Sequence, residues 1–122
     1  MARIRRSCPK GFLLISGDDA LTLPVMAIGG VGIISVVANI IPRDVADMCA
    51  AFEKGNMKKA EELHYKMLPL VKAMFLETNP IPVKTAMALM GLCEGTLRLP
   101  LCDMMPENKE KLVKAMKEYK LI

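Results

Sequence analysis

Two short apolar runs separated by a stretch of helical length dominate the start of the chain. The runs are Phe12–Ser16 and Gly32–Val37, and small or polar residues follow each of them. An uninterrupted apolar run of about five residues bounded by turn residues is typical of a strand covered on both faces in a parallel sheet. The stretch between them, Ala20–Ile28, ends at Gly29 and Gly30. The pattern predicts one βαβ unit with a right-handed crossover.

The residues that follow the two predicted strands are the first candidates for chemistry. Gly17, Asp18 and Asp19 follow the first strand, and Ala38 and Asn39 follow the second. Ligands of such units bind beyond the carboxyl ends of the strands, so we expect these residues at one end of the sheet. Asp18 and Asp19 are also good N-caps for the helix that follows, and the residues alone leave both interpretations open.

The remainder of the chain is predicted to be helical. Pro42 marks a helix start, and Asn56 is a good N-cap for the next helix, which Pro69 should kink without ending. Two more helices are predicted over Pro82–Met90 and Pro106–Tyr119. With a helix end before the first strand, this order leaves both edges of a two-stranded sheet unpaired. We therefore expect the chain to be the end of a larger α/β protein.

Composition indicates a core of aliphatic and methionine side chains. The chain of 122 residues is 52% hydrophobic but only 4% aromatic, with 11 Met and no Trp. Its longest apolar stretch, Val25–Val37, is interrupted by glycines and is too short to span a bilayer. The first residues, Met1–Arg6, lack the apolar segment of a signal peptide. We expect a soluble, cytoplasmic protein without membrane contact.

The net charge of +4 comes partly from Arg3, Arg5, Arg6 and Lys10. A basic stretch of this kind can bind nucleic acid or anionic lipid. No aromatic residues are interleaved with these charges, as a base-stacking surface would require. The stretch is therefore predicted to be a solvated helix end, without a nucleic-acid partner.

Four cysteines and one histidine give no pattern typical of a metal site. Cys8, Cys49, Cys93 and Cys102 form no CxxC pair, and His64 is the single histidine. Zinc sites need ligands clustered at short spacings, so no metal and no other cofactor is expected. We expect reduced thiols, three of them buried, and a histidine that is exposed or half-buried.

Five motifs carry a resemblance to a known family. They are SGDDALTLP, GGVGIISVVANIIP, LHYKMLPL, ETNPIPVK and TLRLPL. In this order they resemble the carboxyl-terminal part of the dihydrodipicolinate synthases, which belong to the pyruvate-dependent class I aldolases together with N-acetylneuraminate lyase. The resemblance runs from Arg3 to Leu121 and corresponds to the end of a family member.

The resemblance implies the last two βα units of a (β/α)8 TIM barrel and a carboxyl-terminal helical domain. Residues 1–54 would contain the end of the sixth helix, the seventh strand Phe12–Ser16 and the eighth strand Gly32–Val36. Residues 55–122 would form the helical domain. The family also implies assembly as a homo-oligomer.

The implied reaction is the condensation of pyruvate with aspartate semialdehyde in lysine biosynthesis. Pyruvate forms a Schiff base with a lysine of the sixth strand, and by the resemblance that lysine lies upstream of Met1. We therefore expect no catalytic residue in this chain and no activity of the chain alone. Pyruvate and aspartate semialdehyde are the implied substrates, and an amino-terminal half-barrel chain is a candidate partner.

Four residues match family positions that bind substrate. Ile34 matches an isoleucine whose backbone carbonyl faces the Schiff-base lysine and pyruvate, and Gly17 and Asp18 match loop residues that place the second substrate. Asn79 matches an asparagine that the helical domain contributes to the same region. On the residues alone, Ile34 would be plain core and Asn79 a turn former. Lys84 follows on a helix and is expected to be an ion-paired or surface lysine, rather than a nucleophile.

Two other functions stay open. One is a non-catalytic half-barrel interaction module or one half of a split enzyme, which a neighbouring gene ending in the lysine motif would support. The other is a fragment of an N-acetylneuraminate lyase or keto-deoxy-sugar aldolase. The motifs GDDAL and ISVVAN favour a dihydrodipicolinate synthase over these relatives.

Overall fold

Strands and a helix alternate at the start of the chain, and four helices follow. The computed structural model describes all 122 residues. The elements in chain order are α1 Ala2–Ser7, β1 Ile15–Ser16, a 3-10 turn Asp19–Leu21, α2 Thr22–Ala27, β2 Gly32–Ile33, a second 3-10 turn Val37–Asn39, α3 Pro42–Glu53, α4 Met57–Ala73, α5 Ile81–Leu89 and α6 Pro106–Glu118. None of the helices is both long and apolar enough to cross a membrane. The predicted order of elements is confirmed.

The two strands are parallel neighbours joined through α2, as the apolar pattern predicts. The paired residues are Ile15 with Gly32 and Ser16 with Ile33. The ladder is shorter than the predicted strands Phe12–Ser16 and Gly32–Val36, so those boundaries are wrong. Val36 already has helical backbone angles, with φ at −76° and ψ at −48°, because the chain turns there into the second 3-10 turn.

One face of the first strand region is open. Leu14 and Ser16 are buried, whereas Leu13 and Ile15 are exposed. This alternation is that of a half-buried strand, since successive side chains point to opposite faces. The prediction of a strand covered on both faces is therefore wrong within these residues.

The predicted helix Ala20–Ile28 is divided into two pieces. A 3-10 turn, Asp19–Leu21, precedes α2. Pro24 has no N–H, so the α-helical hydrogen bonds cannot extend back to the Ala20 carbonyl. Asp18 caps the turn, because its carboxylate accepts the Ala20 N–H at 2.9 Å. The capping interpretation is thus confirmed for Asp18.

The later helices begin where the capping residues predict. Pro42 lies in the first turn of α3, and the Asn56 side chain accepts the Lys59 N–H at 3.2 Å. Helix α4 continues through Pro69. The bounds of α5 and α6 differ from the predicted ones by one residue.

An aliphatic and methionine core holds these helices together. Helix α3 packs along α4, and α6 contacts both α4 and α5. The fully buried side chains include Val37, Met48, Leu70, Met74, Leu112 and Met116. No aromatic side chain is among the buried members of the apolar cluster, as the composition predicts. The cluster contains residues from both sides of position 55, and the division into residues 1–54 and 55–122 stays a prediction.

The cysteines are reduced thiols, as predicted, but the prediction that three of them are buried is wrong. All four cysteines are free; Cys8, Cys49 and Cys93 are half-buried and Cys102 is exposed. Cys49 packs against the apolar cluster, and no cysteine is among the buried members of that cluster. His64 is half-buried, as predicted, and this burial lowers the pKa of its imidazole.

A polar network ties α3, α4 and the end of α6 together at the surface. The Asp44 carboxylate accepts hydrogen bonds from the Lys66 ammonium, at 2.6 Å, and from the Tyr119 hydroxyl. The same ammonium lies 4.7 Å from the centroid of the Tyr119 ring. Both hydrogen bonds lower the pKa of Asp44 below its ordinary value, and the bond from Lys66 has the larger effect. Burial, with the hydrogen bond to Asp44, raises the pKa of Tyr119.

This network predicts an acid-dependent loss of stability. The pKa of Asp44 is lower in the folded chain than the ordinary value of about 3.9, so its contribution is present above that pH and is lost as pH falls through the folded pKa. Replacing Asp44→Asn should lower the free energy of unfolding by about 1 kcal/mol at pH 7 and flatten its decline in acid.

Urea unfolding at one protein concentration between pH 7 and pH 3 measures this effect. Asp47→Asn is the matched control, because Asp47 lies exposed on the same helix. Identical pH dependence of unfolding in the Asp44→Asn variant and the unsubstituted chain would contradict the assignment.

Candidate functional site

Ser16 shapes the turn that follows β1. Its buried hydroxyl donates to the Asp18 carbonyl at 2.8 Å and accepts the Asp18 N–H at 3.2 Å. These two bonds close a small ring around the intervening residue. The ring holds Gly17 at the carboxyl end of the strand.

The end of β2 lies beside this turn. Ile34 N–H donates to the Ser16 carbonyl at 2.9 Å, which keeps Ile34 in the parallel ladder. The Ile34 side chain is 75% exposed, so the interpretation of Ile34 as plain core is wrong. In the second 3-10 turn, the Asn39 amide donates to the Val36 carbonyl at 2.9 Å. Hydrogen bonds therefore hold the backbone at the end of β2 in place, although the side chain of Ile34 is exposed.

Asn79 reaches the same end of the sheet from the helical part of the chain. It lies in the turn before α5, where the Ile81 N–H donates to the Thr78 carbonyl at 3.0 Å. Asn79, the adjacent Pro80 and Val83 of α5 line one groove together with residues at the strand ends. Residues far apart in sequence thus meet where the parallel strands end.

The meeting point is a groove of about 730 Å³. Gly17, Ile34 and Ser35 form one side, and Asn79, Val83 and Met87 come from the α5 side. Three of the four predicted site residues share this groove, which lies beyond the carboxyl ends of the strands where α/β proteins bind ligands. The fourth, Asp18, does not line it.

Lys84 is the one charged residue that lines the groove. Its ammonium donates to the Thr96 carbonyl, and it takes part in neither of the ion pairs of the chain. Of the two expected alternatives, an ion-paired or a surface lysine, the ion pair does not form, and the half-buried Lys84 donates to a carbonyl instead. With a cation, two asparagines and no acidic residue, the groove suits a ligand that carries a carboxylate or a carbonyl oxygen.

The groups that line the groove can bind a small polar ligand. No group of three or more His, Cys, Asp or Glu side chains lies close enough to hold a metal ion. The polar groups that line the groove are amides, a hydroxyl, a thiol and the ammonium of Lys84, which lies on a helix. This set can orient a small polar molecule through hydrogen bonds.

The sequence analysis named Asp19 as a residue at the strand end and as a possible N-cap, but did not predict its contacts with the segment after β2. Asp19 is buried and its carboxylate accepts bonds from Ser35 and Val36. The sequence contains one signal for a second role. The turn has two adjacent aspartates, Asp18 and Asp19, but needs only one carboxylate as its cap. Local rules do not tell which of Asp18 and Asp19 caps, since the answer depends on Ser35 and Val36, which lie after the following strand.

Comparisons with known proteins agree on one family. The Dihydrodipicolinate synthetase family matches residues 1–119. The 4-hydroxy-tetrahydrodipicolinate synthase of Endomicrobium trichonymphae is 58% identical over 109 residues, covering 89% of this chain and 38% of that protein. That relative is more than twice as long as the chain, which spans about two-fifths of its length.

Solved structures give the same result. Dihydrodipicolinate synthase from Aquifex aeolicus superposes with a TM-score of 0.95 at 47% identity, covering 98% of this chain and 41% of that one. The chloride-inhibited synthase from Acinetobacter baumannii, complexed with pyruvate, superposes with a TM-score of 0.87 at 37% identity, covering 91% and 38% of the two chains. The arrangement of strands and helices is thus shared with these enzymes.

Proposed function

Because the chain belongs to the dihydrodipicolinate synthetase family, we propose that its groove is part of the substrate-binding rim of a 4-hydroxy-tetrahydrodipicolinate synthase. The chain matches the carboxyl-terminal part of such enzymes. The reaction would be the condensation of pyruvate with aspartate semialdehyde through a Schiff base. The observation that carries the proposal is that Gly17, Ile34 and Asn79 line one groove.

The proposed architecture is the end of a (β/α)8 barrel. Strands β1 and β2 would be its seventh and eighth strands, with the helical domain beginning near residue 55. Their parallel pairing supports this assignment, because adjacent strands of such barrels are parallel. The position of the groove supports it too, since active sites of these barrels lie at the carboxyl ends of the strands.

The proposed roles divide between the nucleophile and the rim. A Schiff base requires a desolvated lysine amine that faces the carbonyl carbon of pyruvate. No lysine of this chain lies on β1 or β2, so the reactive amine would come from another part of a complete enzyme. The Ile34 carbonyl would face that amine, and Gly17, Asp18 and Asn79 would place aspartate semialdehyde. The pyruvate complex of the Acinetobacter baumannii relative supports pyruvate as the first substrate.

A second function, an association module or one half of a split enzyme, is supported by a separate observation. The large apolar side chains of Leu13, Ile15 and Ile34 are exposed around the strands. Exposed apolar surface of this kind marks contact with further protein. The partner would be an amino-terminal half-barrel chain. The names of the relatives favour a synthase over an N-acetylneuraminate lyase or a keto-deoxy-sugar aldolase.

The proposal is tested by completing the enzyme. We define the joined protein as this chain fused behind the upstream part of the Endomicrobium trichonymphae synthase, which the chain does not cover. The joined protein should condense pyruvate with aspartate semialdehyde. The upstream part alone is the control, and a joined protein that folds but shows no turnover would overturn the proposal.

Asn79→Ala in the joined protein should weaken the binding of the second substrate. The loss of one hydrogen bond to a ligand corresponds to about a tenfold rise in the KM for aspartate semialdehyde, with the KM for pyruvate nearly unchanged. Steady-state kinetics with each substrate varied in turn measures the difference.

Asn56→Ala provides the matched control for this variant. Asn56 caps α4 outside the groove, so its loss should cost about 1 kcal/mol of stability without changing either KM. An Asn79→Ala variant with the same kinetics as the Asn56→Ala variant would remove Asn79 from the site.

A further inference from the structure

We propose that Asp19 is a positioning residue, whose buried carboxylate holds the backbone after β2 and thereby fixes the direction of the Ile34 carbonyl. The inference rests on the proposed function, in which that carbonyl faces the Schiff base. Asp19 touches neither substrate in this scheme and does not line the groove. It acts through Ser35 and Val36.

The carboxylate of Asp19 binds two consecutive residues at once. One oxygen accepts the Val36 N–H at 3.0 Å, and the other accepts the Ser35 hydroxyl. The Ser35 oxygen in turn accepts the Ala38 N–H at 2.9 Å. A single side chain therefore anchors the chain from the end of β2 into the second 3-10 turn.

These bonds and the sheet hold the peptide of Ile34 from both sides. On one side, the Ile34 N–H donates to the Ser16 carbonyl at 2.9 Å. On the other side, Ser35 and Val36 are tied to Asp19. A peptide group is planar and turns only through the dihedral angles that flank it. With both flanks anchored, the carbonyl of Ile34 can turn only by a paired rotation of the Ile34 ψ and Ser35 φ angles, and the bond that holds the Ser35 side chain opposes this rotation.

The cost of burying Asp19 indicates a specific role. Asp19 is 6% exposed, and neither ion pair of the chain includes it. A carboxylate without a cation is expensive to bury unless hydrogen bonds replace its water. Helix capping does not explain it, because the neighbouring Asp18 caps the turn. The bonds to the segment after β2 are what the burial of Asp19 provides.

Hydrogen exchange on the chain itself tests whether Asp19 holds this backbone. In Asp19→Ala, amide exchange within residues 34–40 should become about tenfold faster or more, while exchange within residues 60–72 of α4 stays unchanged. Asp19→Asn is the milder variant, for use if the alanine variant unfolds. Its amide oxygen can still accept one of the two bonds.

Thr22→Val is the matched control for the exchange measurement. The buried Thr22 hydroxyl donates to the Asp19 carbonyl at 2.9 Å, so this variant loses a bond in the same turn but keeps the bonds of the carboxylate. It should leave exchange within residues 34–40 unchanged. Equal exchange there in Asp19→Ala, Asp19→Asn and the unsubstituted chain would overturn the proposal.

The catalytic consequence is measured in the joined protein. Asp19→Ala should lower kcat by about 10- to 100-fold, because a small misplacement of a group at the reacting centre has effects of this size. The KM for pyruvate should change by less than about twofold, since groups that bind substrate in the ground state remain. Thr22→Val should leave both constants near their original values.

The two levels of the proposal fail in different ways. An unsubstituted joined protein without activity contradicts the proposed function, and the exchange measurement still decides whether Asp19 holds the backbone. An active joined protein whose Asp19→Ala variant keeps its kcat contradicts the positioning role alone. A fall in kcat equal to that of Thr22→Val would also contradict it, because the effect would then be one of stability.

Discussion

A purified polypeptide of these 122 residues is expected to show no condensation of pyruvate with aspartate semialdehyde above the uncatalysed rate. Schiff-base catalysis depends on a desolvated amine in the site, and the ammonium of the one lysine that lines the groove donates a hydrogen bond to the Thr96 carbonyl. Under the proposed function, the binding groups that remain would orient substrate without forming the covalent intermediate. The polypeptide should therefore lack the entire rate enhancement of a complete enzyme over the uncatalysed reaction, which is about 10⁶-fold or more.

The measurement compares the 122-residue polypeptide with the joined protein at equal concentration, following the consumption of both substrates. The joined protein shows that the assay detects turnover. Lys84→Gln in the polypeptide identifies any activity that arises from the groove lysine. Turnover that rises in proportion to the polypeptide and disappears in Lys84→Gln would contradict the expectation.

The same polypeptide should not behave as a single monomer of 13.4 kDa. Leu13 is 65% exposed and Ile34 is 75% exposed, and both lie beside the short parallel ladder. Exposed apolar groups and unpaired strand edges both drive association. Light scattering coupled to size exclusion should give a mass at least twice that of one chain, and the mass should rise with concentration.

Matched substitutions locate the associating surface. Leu13→Lys places a charge beside the strands and should shift the population towards the monomer. Leu99→Lys changes a leucine that is more exposed, at 92%, but lies in the irregular segment between α5 and α6. Equal effects of the two substitutions would place the association elsewhere. A sharp monomer peak for the unsubstituted polypeptide would contradict the prediction outright.

The helices could be predicted from local sequence because local interactions determine their ends. Pro42, Asn56 and Pro106 mark helix starts through effects that need only the next few residues. The strand bounds could not be predicted in this way. The apolar run continues to Val37, but β2 ends at Ile33, and beyond it the Val36 N–H binds the Asp19 carboxylate, 17 positions earlier.

The candidate site shows the same division. Gly17, Ile34 and Asn79 could be named in advance because they belong to motifs shared with a family, and the fold brings them to one groove. Asp19 could not be distinguished from Asp18, since both are acidic residues in one turn. Only the tertiary contacts show that Asp18 caps the exposed turn and Asp19 is buried against Ser35 and Val36.

The burial of the cysteines depended on the same kind of information. Composition identifies cysteine as a small apolar residue that is often buried. Cys93 follows the end of α5 and lines the groove, where it is half-buried. The burial of a thiol depends on which distant parts of the chain pack against it, and the local pattern contains no signal for this.

The central claim is that this chain contributes the substrate-binding rim while the nucleophile lies in the upstream part. Borohydride trapping of the joined protein with pyruvate, followed by intact mass and peptide mapping, tests the claim most directly. The expected result is one pyruvyl adduct per chain, on a single lysine of the upstream part, and no adduct on the lysines of this chain. A stoichiometric adduct on Lys84, or on any other lysine of these 122 residues, would contradict the account.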